Sequence, residues 1–276
     1  MKVGLSGHFL RHANRAALLE WFRRVDAGPF HSLSTGERLL FDNLDQITYL
    51  AAAAAVTERV MLMTNVTVVP IHPTVLLAKR MASIDLLSAG RLIIGAGTGS
   101  QESDYRSAER SMERRWQRLD EAVATVKELW CGALPYPDAP APVGPTPSRP
   151  GGPLLYTGAR APRSLARAAR WADGWQGTVL RADPADLRAE ADAHVRAWAD
   201  AGRDTRPKLL NSVMLTVDAE ADSSPGAARP TFGVSDIPML LERHQEAGYD
   251  ELVLAPMLDD PGLLDGIEKS VAAAAR

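Results

Sequence analysis

The sequence predicts a single α/β domain over residues 1–276, a closed (β/α)8 barrel of parallel strands each followed by a helix. Three observations predict it. Short β-rich runs alternate with helical runs from end to end, with no hairpin-joined pair, a pattern that demands parallel strands and helical crossovers. The longest β-rich run, Val60 to Val69, is apolar on both faces, so both must be covered, as in a parallel sheet. The first strand is followed by Gly7-His8-Phe9-Leu10-Arg11, which lacks the GxGxxG expected of the rival open doubly wound sheet. The length also suits one barrel, since these commonly run to about 250 residues.

Lys2 to His8 alternates as a strand, and Leu18, Leu19, Phe22 and Val25 recur at helical spacing within Asn14 to Val25. Asp26-Ala27-Gly28-Pro29 stops that helix before a strand at Ser32 to Gly36. An alanine-rich helix over Leu44 to Thr57 leads into the Val60 to Val69 strand, which Pro70-Ile71-His72-Pro73 breaks. Helix Val75 to Leu87, strand Arg91 to Gly97 and helix Ser111 to Trp130 follow, the last carrying Trp116, Leu119, Val123, Val126 and Trp130 on one face. Leu134 to Pro153 is proline-rich and reads as a surface connection, because βα alternation resumes directly after it. The remaining strands are expected at Leu154 to Thr157, Gly174 to Val179, Lys208 to Val217 and Glu251 to Pro256. Their helices are Pro162 to Trp171, Pro184 to Ala201, Asp236 to Ala247 and Pro261 to Ala274, with a polar loop over Asp218 to Phe232.

Composition narrows function. A formal net charge of −3 from 31 basic and 34 acidic side chains argues against nucleic acid as the main partner, which needs a basic face. No apolar run approaches the roughly 18 residues of a membrane span, and the start lacks a signal-peptide core, so a cytoplasmic protein is expected. Cys131 is the one cysteine, which forbids an internal disulfide and reads as a packed or inert thiol. The tryptophans at 116, 130, 171 and 175 are assigned to packing, and Asp259-Asp260 to solvent rather than metal.

In a barrel the chemistry lies past the C-terminal ends of the strands. Those segments hold no His and carboxylate cluster at metal-ligand spacing and no Ser-His-Asp set, so no metal site is expected and a borrowed cofactor is favoured. Gly95-Ala96-Gly97-Thr98-Gly99-Ser100 lets a flat ligand approach the backbone. Thr157-Gly158-Ala159-Arg160-Ala161-Pro162-Arg163-Ser164 joins a strand to a helix start, where amides and arginines favour a phosphate. His8, at the mouth end of the first strand, is placed to meet a substrate, whereas His72 reads as a loop histidine.

Several stretches, in order, resemble the bacterial luciferase-like flavin- and deazaflavin-dependent oxidoreductases. They include Phe30 to Leu39, Leu50 to Val66, Pro70 to Lys79, Ser83 to Gly97, Arg167 to Trp175 and Ala247 to Leu254. The resemblance implies a barrel that binds reduced FMN, or coenzyme F-420, at its mouth. It implies a third-strand bulge, often with a non-proline cis peptide, at Asn65–Val66 beside Thr64, lying against the ring. It also implies contacts to the ring edge from Gly97 and Thr98, and phosphate contacts from Gly158, Ala159 and Ser164. Many members carry a histidine after the second strand; here Glu37-Arg38 stands there, and an arginine can hold an anion but not act as a base. Arg38 is expected either in the site or in a surface salt bridge with Glu37 or Asp42. Ser100, with Glu102 the nearest acid, stands where sugar-phosphate dehydrogenases of the deazaflavin branch have glutamate, which speaks against those substrates.

The expected function is a flavin-dependent oxidoreductase of monooxygenase type acting on a small organic substrate, with a slight lean to FMN supplied by a separate flavin reductase. The expected catalytic set is Glu37, Arg38 and His8. The alternatives are hydride transfer with coenzyme F-420, for which Arg38, Arg160, Arg163 and Arg181 would offer a basic groove, a non-catalytic flavin-binding barrel, and a cofactor-independent isomerase or hydrolase. A homodimer through the alanine-rich helix is expected.

Overall fold

The computed structural model describes the chain except for residues 9, 12–13, 179–181, 223–229, 258–260 and 275–276. Arg181, Asp259 and Asp260 therefore lie outside the described residues. The strands are β1 (Lys2–Ser6), β2 (Ser32–Thr35), β3 (Met61–Val68), β4 (Leu92–Gly97), β5 (Leu154–Thr157), β6 (Gly174–Thr178), β7 (Lys208–Leu215), β8 (Thr231–Phe232) and β9 (Glu251–Pro256). All pair in parallel in one sheet. The order β6-β5-β4-β3-β2-β1-β9-β7, with β6 also paired to β7, closes the expected eight-stranded ring.

The helices outside the ring are α1 (Arg15–Ala27), α2 (Gln46–Val56), α3 (Thr74–Leu87), α4 (Glu102–Ser107), α5 (Arg115–Trp130), α6 (Pro162–Ala168), α7 (Pro184–Asp200), α8 (Ile237–Glu246) and α9 (Pro261–Ala274). Their starts follow local chemistry: Asn14, Asp45 and Asp183 cap α1, α2 and α7 by accepting first-turn amides. Two expectations are corrected. The helix placed from Ser111 starts at Arg115, because Arg114 takes a positive φ of 53° and interrupts it, while the short α4 forms ahead of it. Within the expected 218–232 loop, Thr231–Phe232 forms β8, which pairs with Met214 and Leu215 of β7 beyond the point where β6 ends.

Alternation along the strands divides the interior. Outward residues such as Leu5, Leu33, Leu62, Ile94 and Leu254 join the main core beneath the helices. Inward residues Met63, Ile93, Tyr156, Leu210 and Val253 fill the lumen, with Met61 and Leu154 packed against them. Trp130 and Trp175 are buried, and Trp116 and Trp171 pack against the core, as their spacing predicts. Cys131, by contrast, is exposed at the end of α5. The proline-rich connection lies across α3: Ser148 N donates to Asp85 Oδ2 at 2.7 Å and Lys79 Nζ to Gly144 O at 2.9 Å.

The lower end of the lumen carries a carboxyl group. Ser32 Oγ donates to Glu251 Oε1, and a Cβ at Gly4 would lie 2.8 Å from the same oxygen. Glu251 is 4% exposed, and burial pushes its pKa up from 4.5 to about 7, against the smaller opposing effect of the Ser32 bond. A folded-state value above the unfolded one means that the native chain holds the proton longer. This contribution to stability is complete below about pH 4.5 and is lost as pH rises toward 7. Glu251→Gln should therefore flatten the pH profile: between pH 4.5 and 8 the wild type loses on the order of 2–3 kcal/mol relative to the variant. Urea unfolding midpoints of the two proteins across that range check this, and parallel curves would refute it.

Candidate functional site at the barrel mouth

The third strand changes register at the open end of the barrel. Thr64 pairs with Ile94 and Thr67 with Ala96, so Asn65 and Val66 together face Gly95, the signature of a bulge. The Asn65–Val66 peptide is cis. Both residues are part-exposed in a strand otherwise buried from Leu62 to Val68. The bulge thus stands where the family resemblance implies it.

Glycines gather the other rim elements around it. A Cβ at Gly97 would lie 2.7 Å from Val66 Cγ2, and one at Gly158 would lie 3.5 Å from Val66 Cγ1. A Cβ at Gly36 would meet His8 Nδ1 at 2.7 Å and Asn65 O at 3.2 Å. His8, Asn65, Val66, Gly97 and Gly158 are therefore brought together on one rim. Thr64 lies just beneath, its Oγ1 donating to Gly95 O at 3.0 Å.

Thr98 is buried and its carbonyl accepts the Tyr105 hydroxyl. Ser164 Oγ donates to Ala161 O at 2.9 Å, and Ala159 N donates to Thr157 Oγ1 at 3.1 Å. Gly158 N reaches Ala96 O at 3.4 Å. The Gly158 and Ala159 amides are thus engaged within the protein. The donors open to an anion in this segment are the first-turn amides of α6 at Arg163 and Ser164, which have no helical acceptor.

The charged pair after β2 is engaged within the protein. Glu37 is buried; its Oε1 meets His72 Nε2 at 2.8 Å and its Oε2 accepts Val68 N at 2.6 Å. Arg38 Nε donates to Asp104 Oδ2 at 2.8 Å while Asp104 Oδ1 accepts Leu39 N at 3.2 Å. Arg38 therefore pairs with neither Glu37 nor Asp42, and Asp42 lies instead 3.4 Å from Arg11. Two clamps fasten the 36–44 segment to the turn after β3 and to α4, so Glu37 and Arg38 hold the loop. Arg160 is also engaged: its guanidinium pairs with Glu190 at 2.7 Å and lies over Trp175 at 5.1 Å. The basic groove expected from Arg38 and Arg160 is accordingly neutralised.

His8 differs. Its ring stacks on Phe41 at 5.6 Å and 11°, and Asn43 Nδ2 lies 3.4 Å from Nδ1. Burial lowers its pKa, the Gly36 backbone bond partly opposes this, and the nearby Arg38 charge lowers it again. The imidazole is thereby held toward its neutral form, which can accept a proton. A cavity of about 480 Å³ adjoins this corner, lined by Gly7, Leu10, Leu18, Thr35, Leu44 and Tyr49 among others.

Sequence reasoning missed Gln46, Asp104, Gln176 and Ser212. Gln176 Nε2 donates across the lumen to Thr64 O at 2.7 Å, and Asn65 Nδ2 to Ser212 Oγ at 2.9 Å. The available signal was a glutamine between tryptophan and glycine in a strand otherwise built for burial. Among the described residues, no group of three or more His, Cys, Asp or Glu side chains could hold a metal, and no helix is long and apolar enough to cross a membrane.

Comparison with known proteins agrees with this architecture. Among curated proteins, an uncharacterised protein of Mycobacterium tuberculosis is 31% identical over 191 residues, covering 64% of this chain and 66% of its own. The F-420-dependent hydroxymycolic acid dehydrogenase of the same organism is 28% identical over 239 residues, covering 80% of this chain and 65% of its own. The matched stretches thus span just under two thirds of these relatives. An F-420-dependent secondary alcohol dehydrogenase superposes with a TM-score of 0.80 at 17% identity, over 100% of this chain and 99% of its own. The FMN-bound oxygenating constituent of 3,6-diketocamphane monooxygenase from Pseudomonas putida gives 0.77 at 17%, over 99% and 98%. At such identities these two likenesses speak to fold alone. The family model for luciferase-like monooxygenases matches residues 4–255, and the chain therefore belongs to that family of oxidoreductases, which has both F-420- and FMN-dependent members.

Proposed function

We propose that this chain is an oxidoreductase that seats a flavin-type ring on the Asn65–Val66 bulge and transfers a hydride between coenzyme F-420 and a small alcohol or ketone. The observation that carries this reading is His8 beside the bulge, its imidazole held by burial toward the neutral, proton-accepting form. A relative with a named activity, the F-420-dependent hydroxymycolic acid dehydrogenase, supports the same choice over the FMN expectation. The residues fit such a group. Glycines at 36 and 97 let the rim close on His8 and Val66, each of which a Cβ there would approach to 2.7 Å, and the α6 first-turn amides suit a phosphate.

When bound, coenzyme F-420 supplies a two-electron hydride acceptor or donor. The protein does the rest. The bulge orients the ring, the Leu39–Phe41 segment held by Asp104 shields one side from water, and His8 takes the alcohol proton at an imidazole nitrogen. In the reverse direction protonated His8 returns that proton to the ketone oxygen. The second reading, an FMN-dependent monooxygenase fed by a separate reductase, draws on the neutralised Arg38 and Arg160, which leave less basic surface for an acidic tail. We also propose a cytoplasmic homodimer through α2 and α3, because Leu76, Leu86 and Leu87 of α3 stand exposed, the last two at 55% and 57%.

Three measurements test these readings. Titrated separately with F-420, FMN and reduced FMN, the protein should bind F-420 most tightly, and Gly158→Asp should weaken that binding at least tenfold by setting a carboxylate near the phosphate. Tight binding of FMN alone would select the second reading, and binding of none would remove both. His8→Asn should lower kcat by about 10²–10⁴-fold with cofactor affinity kept, and the wild-type rate should fall as pH drops through the lowered His8 pKa, below 6.5. Light scattering should give twice the 29.8 kDa chain mass, and Leu86→Lys with Leu87→Lys should return the single mass.

A further inference from the structure

We infer that Gln176 is a positioning residue for the cofactor berth: its amide reaches across the lumen from β6, grips the Thr64 carbonyl and fixes how the bulge presents Asn65 and Val66. This inference rests on the reading that a ring system lies on that bulge.

Three strands carry parts of the device. Gln176 Nε2 lies 2.7 Å from Thr64 O, and because a carbonyl only accepts, the amide nitrogen must face it. On β4, Gly95 is the residue opposite the bulge, and a Cβ there would fall 1.7 Å from Gln176 Nε2 and 2.3 Å from Thr64 O. The glycine is thus where the glutamine crosses. Bulge, glycine and amide form a matched set, since each loses its purpose without the other two.

The site is a poor place for an amide on grounds of stability. Gln176 is fully buried, just above the apolar lumen layer of Met63, Ile93, Tyr156, Leu210 and Val253. Its Oε1 is buried with no hydrogen-bond partner among the described residues. One bond made and one acceptor left dry is a small or negative net contribution. What the amide supplies is direction.

Other braces act on different atoms. Gln46 Nε2 donates to Thr35 O at 2.9 Å while its Oε1 accepts the Thr67 hydroxyl at 2.7 Å, which secures the strand from the helix side. Asn65 Nδ2 bonds Ser212 through its own side chain. Gln176 alone among these holds the main-chain carbonyl that leads into Asn65.

Gln176→Leu keeps the volume and removes the donor. In the cofactor-free protein, hydrogen exchange at the backbone amides of residues 65–67 should quicken at least tenfold relative to wild type. Ring affinity should fall about tenfold with a shifted absorbance of the bound ring, and by the same factor for the ring lacking its phosphate, since the phosphate contacts are untouched. Gln176→Glu should bind as wild type at low pH, where the neutral carboxyl can donate to Thr64 O, and lose affinity as pH rises, while the wild type does not. This variant carries the test if Gln176→Leu fails to fold. Gly95→Ala should match Gln176→Leu, and the double variant should lose no more than either. Unchanged exchange, or wild-type affinity and spectrum in Gln176→Leu, overturns the inference. If the wild type binds no ring at all, the functional reading fails, and the exchange arm still decides whether Gln176 holds the bulge.

Discussion

One extra residue in the third strand sets the geometry of the mouth. A parallel ring of eight strands is a regular object whose inward side chains fill it in layers, and a regular third strand would leave the upper lumen to one more such layer. Between Thr64 and Thr67 the regularity breaks, and two residues face one glycine. The break is held by hydrogen bonds from β6, β7 and α2 on deeply buried side chains. His8, Gly36, Gly97 and Gly158 are then all placed by their nearness to Asn65 and Val66.

Charge is used differently around this rim from what a count of arginines suggests. Glu37 and Asp104 take His72 and Arg38 as partners, and each carboxylate also accepts a main-chain amide, so the segment after β2 is fastened at both of its first two charged residues. Arg160 is spent on Glu190, which also accepts the Tyr249 hydroxyl at 3.0 Å. Beside these paired cations, burial shifts the His8 imidazole at the rim toward its neutral form. At the family position that often carries histidine, Glu37 and Arg38 fasten the loop to its neighbours.

The eight βα units were legible because each strand and helix writes its own period into the sequence, and the Val60 to Val69 run declared a doubly covered strand. The bulge at Asn65–Val66 was reachable only through family resemblance, since no local residue pattern marks it. What escaped depended on distance in the chain. The Arg38 to Asp104 pair joins residues 66 apart and the Gln176 to Thr64 bond joins residues 112 apart, and no local pattern names the distant partner of either. The two-residue β8 escaped because it exists only by pairing with β7 beyond the end of β6. The turn after β5 reads from the sequence as a phosphate contact, yet its Gly158 and Ala159 amides are occupied by neighbours.

The ring closes where β1 meets β9, and the chain's two outermost helices are tied across that seam. Arg24 of α1 forks onto Glu268 of α9 with both bonds at 2.8 Å, a contact between residues 244 apart, while Asp250 O accepts Lys2 N at 3.2 Å. A growing chain that has not yet delivered Glu251–Pro256 carries raw edges on both β1 and β7, the two strands that β9 joins. Such edges invite pairing with other chains. Those edges stay open until β9 has paired with both strands, so the ring is shielded from such pairing only once its last strand is in place.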